Sequence, residues 1–214
     1  MTALGLRGFL PVAAPVLDFH PTDAPLPKGP FDALVFTSAN GVAAFAGRDQ
    51  GRDLPVFAVG GATAAAARKA QFARIVTGEA GAAALAEMIH AQLAPGSHVL
   101  HAAGRDVAVD LAPLLTPHGI RVTRAALYAM EIATALPDTA RDAIAAGCFV
   151  LLHSPRSAGA FGALAGDVSR VTAICQSGPI AAAAGAFGFG ALATADHPTE
   201  SAMLDCLEAV KAHL

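Results

Sequence analysis

The stretch Phe31–Phe45, FDALVFTSANGVAAF, decides the fold. Its run Asp32–Thr37 (DALVFT), apolar from Ala33 to Phe36, predicts a buried strand. Thr37 and Ser38 end that strand, and Asn40–Gly47 predicts a helix. The same order returns at Gly147–Phe161, GCFVLLHSPRSAGAF, where Ser154 takes the place of Ser38 and Phe161 that of Phe45. Further on, Gly61–Ala66 (GATAAA) falls on Gly178–Ala183 (GPIAAA), and Glu79, ahead of a helix at Ala82, falls on Asp196, ahead of a helix at Glu200. A shared order of strand, Ser turn, helix, strand, Gly turn and helix predicts two similar α/β lobes with parallel sheets.

Outward from this repeat the alternation continues. Strands are expected at Leu54–Gly60, Ala73–Thr77, Ser97–Ala102, Cys148–His153, Val171–Cys175 and Ala191–Ala195. Helices are expected at Ala62–Ala70, Ala82–Leu93, Val107–His118, Leu136–Ala146, Ser157–Ala165, Ala181–Phe187 and Glu200–Ala212, the one at Val107–His118 closed by Gly119. Val12–Pro21 and Ile120–Ala133 read as extended, and Pro15 suits an edge strand. Pairing them gives a two-stranded linker at 13–30 and 120–133. The first lobe, 31–119, is then inserted into a second lobe made of 1–12 and 134–214.

Composition narrows the function classes. The chain of 214 residues is 54% hydrophobic and 14% charged, which excludes intrinsic disorder. Net charge is −3, with no basic stripe for nucleic acid. No apolar run reaches a membrane span of about 18 residues, and the start lacks the pattern of a signal peptide. Three well-separated cysteines, Cys148, Cys175 and Cys206, argue against a disulfide framework or zinc site and for a cytoplasmic setting. The histidines never take the H-x-x-x-H or H-E-x-x-H form, so no metal is expected, and no G-x-S-x-G elbow is present.

Four constellations carry candidate chemistry. In Phe36–Val42, Thr37, Ser38 and Asn40 stand where a strand meets a helix; they serve either as caps or as an anion site built on free N–H groups. Ser154 and Ser157 repeat this arrangement, and two such turns facing one another would form an anion-binding cleft. In Val59–Ala64, Gly61 permits close backbone approach, while Thr63 donates to an acidic ligand or caps the helix; the spacing is neither a dinucleotide fingerprint nor a P-loop. In His101–Asp106, Gly104 and Arg105 occupy a strand-to-helix turn, where Arg105 offers a fork for a carboxylate or else pairs with Asp106. Tyr128 is the only tyrosine, a hydrogen-bond donor or weak general acid at neutral pH, or simply packing.

Taken in order, FDALVFTSANGV (31–42), AVGGATA (58–64), Tyr128 in ALYAME, VLLHSPRSAGAF (150–161) and TADHPTESAML (194–204) resemble the uroporphyrinogen-III synthase family over nearly the whole chain. The resemblance implies a cofactor-free, monomeric lyase of tetrapyrrole (heme) biosynthesis. It would cyclise hydroxymethylbilane and invert the last pyrrole ring, with substrate held between two lobes. It also implies that Tyr128 assists loss of the substrate's hydroxyl, that Gly61 and Thr63 belong to the family's Gly-x-Thr-Ala turn, and that Ser38 and Ser154 are its strand-end serines. An azafulvene would form, be attacked by the substituted carbon of the terminal ring, and reclose through a spiro intermediate. The substrate carries eight carboxylates, so helix-start N–H groups and a few cations such as Arg105 are expected to bind it.

Two departures stand out. Ile180 and Ala181 follow Gly178-Pro179 where the family carries hydroxyl donors, leaving Ser177 as the substitute. The chain also opens near the end of the family's first helix, at Leu4–Gly8. That implies a start placed too late or an incomplete, destabilised second lobe. The competing expectation is a non-catalytic two-lobed protein that binds a tetrapyrrole or other small acid. A bare structural module is the third.

Overall fold

A computed structural model describes residues 3–48, 51–78, 81–107 and 109–213. Glu79, aligned above with Asp196, lies outside the described residues. The chain divides into two compact units, one of Phe19–Glu131 and one of Met1–Asp18 with Ile132–Leu214.

The larger sheet is built from β1 (Leu17–Pro21), β2 (Ala33–Phe36), β3 (Val56–Val59), β4 (Ile75–Gly78), β5 (His98–Gly104) and β6 (Arg121–Ile132) in the order β1-β6-β5-β2-β3-β4. Strands β2 to β6 pair in parallel, with Leu34 opposite both Val56 and Leu100. The helices α2 (Ala39–Ala46), α3 (Gly60–Lys69) and α4 (Ala82–Gln92) connect them. Strand β2 is buried along its whole length, because ALVF packs apolar side chains onto both faces. On one face Phe36, Phe45 and Phe72 pack with Leu34 and Leu100; on the other Val35 and Phe57 meet Leu85 and Ile89. This two-sided burial is what a parallel sheet with helical crossovers requires.

The expected long helix at Val107–His118 is not formed. Helix α5 covers only Ala112–Leu115, and Thr116–His118 is a single 3-10 turn. Pro113 and Pro117 each remove a backbone donor, and Pro117 prevents an α-helical continuation. Gly119 stops the turn with φ 72°, as its position suggests. Likewise only Leu17–Pro21 of the expected extended segment is strand, while Pro11 and Pro15 interrupt the approach to it.

In the second unit, α1 (Ala3–Leu6), α6 (Asp138–Ala146), α7 (Pro155–Ala165), α8 (Gly178–Ala184) and α9 (Glu200–Lys211) accompany a three-stranded parallel sheet. Its strands are β7 (Phe149–Leu152), β8 (Thr172–Cys175) and β9 (Ala191–Thr194). The neighbour order β7-β8-β9 is that of β2-β3-β4, but β2 also has β5 on its other side. Among the described residues no strand pairs with that edge of β7. An apolar cavity of about 540 Å³ runs there, lined by Phe9, Ala14, Ile144, Val150 and Phe161 among others. Arg7 ties the N-terminal turn to α9 through Asp205 and Glu208 at 2.7 and 2.8 Å.

Candidate active site

Strands β2, β3 and β5 are adjacent and parallel, so the turns that leave their carboxyl ends open at one rim of the sheet. Ligands of open α/β sheets bind at such rims. Ser38 ends β2 in extended conformation and caps α2, its Oγ accepting from the N–H of Gly41 at 3.1 Å. The same Oγ lies 2.8 Å from the Oη of Tyr128 on β6. One hydroxyl thus serves the helix and the phenol together. Of the alternatives open from sequence, capping is realised at Ser38, and the same hydroxyl also contacts the phenol.

The phenol is closely held. Tyr128 is 8% exposed, its ring lies against Phe19 at 5.3 Å, and its backbone oxygen accepts from the N–H of Arg105 at 2.7 Å. Gly104 faces it in the strand register, at a bulge between Ala103 and Gly104. A Cβ at Gly104 would sit 3.0 Å from the ring, so the missing side chain makes room for it. Gly41 acts similarly on α2: a Cβ there would lie 2.6 Å from the carbonyl oxygen of Ala102. The glycine of the FTSANG turn therefore lets α2 press onto β5 and carry Ser38 to Tyr128.

Other predicted residues fall as follows. Thr37 meets the Nε2 of His101 at 3.0 Å, and Asn40 donates to the sulfur of Met130 at 3.4 Å. Arg105 is 3.4 Å from Glu131, both more than half exposed, a contact of little energetic weight. In the structure Arg105 thus has Glu131 on β6 as a carboxylate partner. Gly61 lies in the first turn of α3, which starts at Gly60 after Val59 without a side-chain cap. Thr63 does not cap the helix: it sits one turn inside and is 5% exposed.

In the second unit Ser154 and Ser157 form a reciprocal capping box at α7: each backbone N–H donates to the other's Oγ, at 3.1 and 3.0 Å. The two hydroxyls are also 2.9 Å apart. Ser177 occupies the N-cap position of α8 with no side-chain cap bond. Ile180 is buried in the core beside Phe161 and Ala184, so an apolar residue there fills space rather than facing a ligand. Burial raises the thiol pKa of Cys148, Cys175 and Cys206, which disfavours a nucleophilic thiolate at any of them.

Sequence reasoning passed over His101. It is fully buried, and its Nδ1 has no hydrogen-bond partner among the described residues. Burial, then the charge of Arg124, lowers its pKa to about 4, against a weaker opposing pull from Asp110. A histidine inside an apolar strand was the available signal, but the residues themselves do not tell which way it points.

A parallel sheet whose carboxyl rim gathers hydroxyls, helix-start N–H groups and a braced phenol defines an α/β protein with polar donors collected at its strand ends. The chain belongs to the uroporphyrinogen-III synthase family: the family model described as HEM4, uroporphyrinogen-III synthase HemD, matches residues 1–205. The family comprises lyases that cyclise hydroxymethylbilane to uroporphyrinogen III in heme biosynthesis. Among solved structures, the chain is similar to uroporphyrinogen-III synthetase from Helicobacter pylori, with TM-score 0.69, 20% identity, and 91% of each chain covered. It is also similar to a mutant uroporphyrinogen III synthase from Thermus thermophilus, with TM-score 0.49, 16% identity, 98% of this chain and 92% of that one. No curated protein sequence gives a significant match. Among the described residues, no helix is long and apolar enough to cross a membrane.

Proposed function

We propose that Tyr128 is the general acid of the cyclisation and that the rim around it binds hydroxymethylbilane. The observation that carries this is the 2.8 Å contact between Tyr128 Oη and Ser38 Oγ. It holds the phenol beside the start of α2, where backbone N–H groups favour a carboxylate. Ser38 orients the phenolic proton, Tyr128 delivers it to the departing hydroxyl, and that group leaves as water. The azafulvene left behind is attacked by the substituted carbon of the terminal pyrrole, and the spiro intermediate opens and recloses with that ring turned over. The terminal pyrrole loses one proton on regaining aromaticity, which restores the phenol. Holding the bilane folded so that these carbons meet is a proximity effect.

Thr37, Asn40, Gly61, Thr63, Gly104 and Arg105 are proposed as substrate contacts of the same unit, and Ser154, Ser157 and Ser177 as contacts of the other. The enzyme is read as monomeric, as the family resemblance implies, and as cytoplasmic, a setting that its three free cysteines favour. The test is conversion of hydroxymethylbilane followed by oxidation and separation of isomers. Type III product above the spontaneous type I background is expected from the wild type. Saturable binding of the bilane without type III product would instead identify a binding protein.

A further inference from the structure

We infer that His101 is a positioning residue of this site, fixing the Thr37 hydroxyl as a donor toward an acidic group of the bound substrate; this rests on the synthase reading above. His101 faces Val35 in the β5–β2 register, and strand alternation sets Thr37 on the same face as Val35. Its Nε2 meets Thr37 Oγ1 at 3.0 Å. Thr37 is only half-buried, at the carboxyl end of β2, while His101 is 0% exposed beneath it.

The Nδ1, which has no partner among the described residues, selects the tautomer. A buried neutral imidazole carries one N–H and one bare lone pair. Leaving an N–H unmet is the rarer and costlier choice. The proton therefore sits on Nε2 and is donated to Thr37 Oγ1, while Nδ1 keeps its lone pair. Thr37 Oγ1, having accepted, has its own proton left to point outward along the rim. A hydroxyl fixed in this way meets a carboxylate as a donor without first reorienting.

A role in packing alone fits His101 poorly. An orphaned buried acceptor is destabilising, whereas an apolar side chain would fill the space without that penalty. The two roles consequently separate in His101→Leu.

The experiment combines steady-state kinetics on hydroxymethylbilane with thermal melts and imidazole nitrogen NMR. His101→Leu is expected to melt at or above the wild-type temperature, to raise KM about tenfold and to leave kcat within about threefold, as loss of a hydrogen bond to a charged group implies. His101→Gln, whose amide reaches Thr37, should recover most of the KM. Thr37→Val should match His101→Leu, and the double variant should add nothing. NMR should report the Nε2–H tautomer of His101 in the wild type. An unmoved KM in His101→Leu beside an active wild type, additive effects in the double variant, or an Nδ1–H tautomer overturns this inference alone. Absence of type III product from the wild type overturns the synthase reading itself.

Discussion

Tyr128 Oη and Ser38 Oγ lie 2.8 Å apart although 90 residues separate them in the chain. The contact joins the end of β2 to the middle of β6, two strands that are not neighbours, since β5 runs between them. Ser38 bridges the gap because α2 starts there and is pressed onto β5 at Gly41.

Tyr128→Phe keeps the ring against Phe19 and removes only the hydroxyl. Loss of a general acid implies a drop of roughly 10²-fold or more in kcat, with little change in KM or melting temperature. Isomer-resolved kinetics check this, and unchanged kcat would remove the acid role from Tyr128.

Ser38→Ala removes both the α2 cap and the partner of the phenol. Stability should fall by about 1 kcal/mol, the usual worth of an N-cap. Activity should fall as well, but less than in Tyr128→Phe, since the phenol remains. Urea titration and the isomer assay read the two effects separately.

Gly41→Ala would set a Cβ 2.6 Å from the Ala102 carbonyl oxygen. Backbone stands on both sides, so α2 must lift from β5, at about 1–3 kcal/mol. Gly104→Ala meets the Tyr128 ring at 3.0 Å and the carbonyl oxygen of Asp106 at 3.2 Å, so it should cost activity by displacing the phenol and some stability by crowding the backbone. Equal melting temperatures for Gly41→Ala and wild type would contradict this account.

Acid stability should depend on His101. Its pKa is about 4 when folded against 6.5 unfolded. Between these values the unfolded chain binds the extra proton, so stability falls as pH drops from about 6.5 to about 4 and levels off below. The full contribution is on the order of 3 kcal/mol. Arg124 reinforces the effect and Asp110 opposes it. Urea midpoints from pH 7 to pH 4 should decline more steeply in wild type than in His101→Leu.

Ser154→Ala breaks the capping box at α7 and should destabilise its unit by about 1 kcal/mol. Hydrogen exchange confined to α7 and β7 would detect it.

Much of the strand and helix order was legible because local pattern and burial agree. ALVF at 33–36 is apolar on both faces, as a central parallel strand must be, and Thr37-Ser38 marks where it stops. The expected Val107–His118 helix does not form for a local reason: Pro113 and Pro117 break the backbone ladder whatever the apolar spacing suggests. Thr63 is no cap because the helix starts earlier, at Gly60, whose φ of +70° turns the chain straight from β3 into α3.

By itself, then, the sequence determined the alternation of elements, the serine-bearing turns and the family, since these depend on neighbours along the chain. Tertiary structure decided which hydroxyl reaches the phenol, that Gly41 and Gly104 are spaces rather than flexible links, and that His101 lies buried under Thr37. Each of these is a contact between strands or helices distant in sequence. Its existence follows from sheet order and register, which no local pattern specifies.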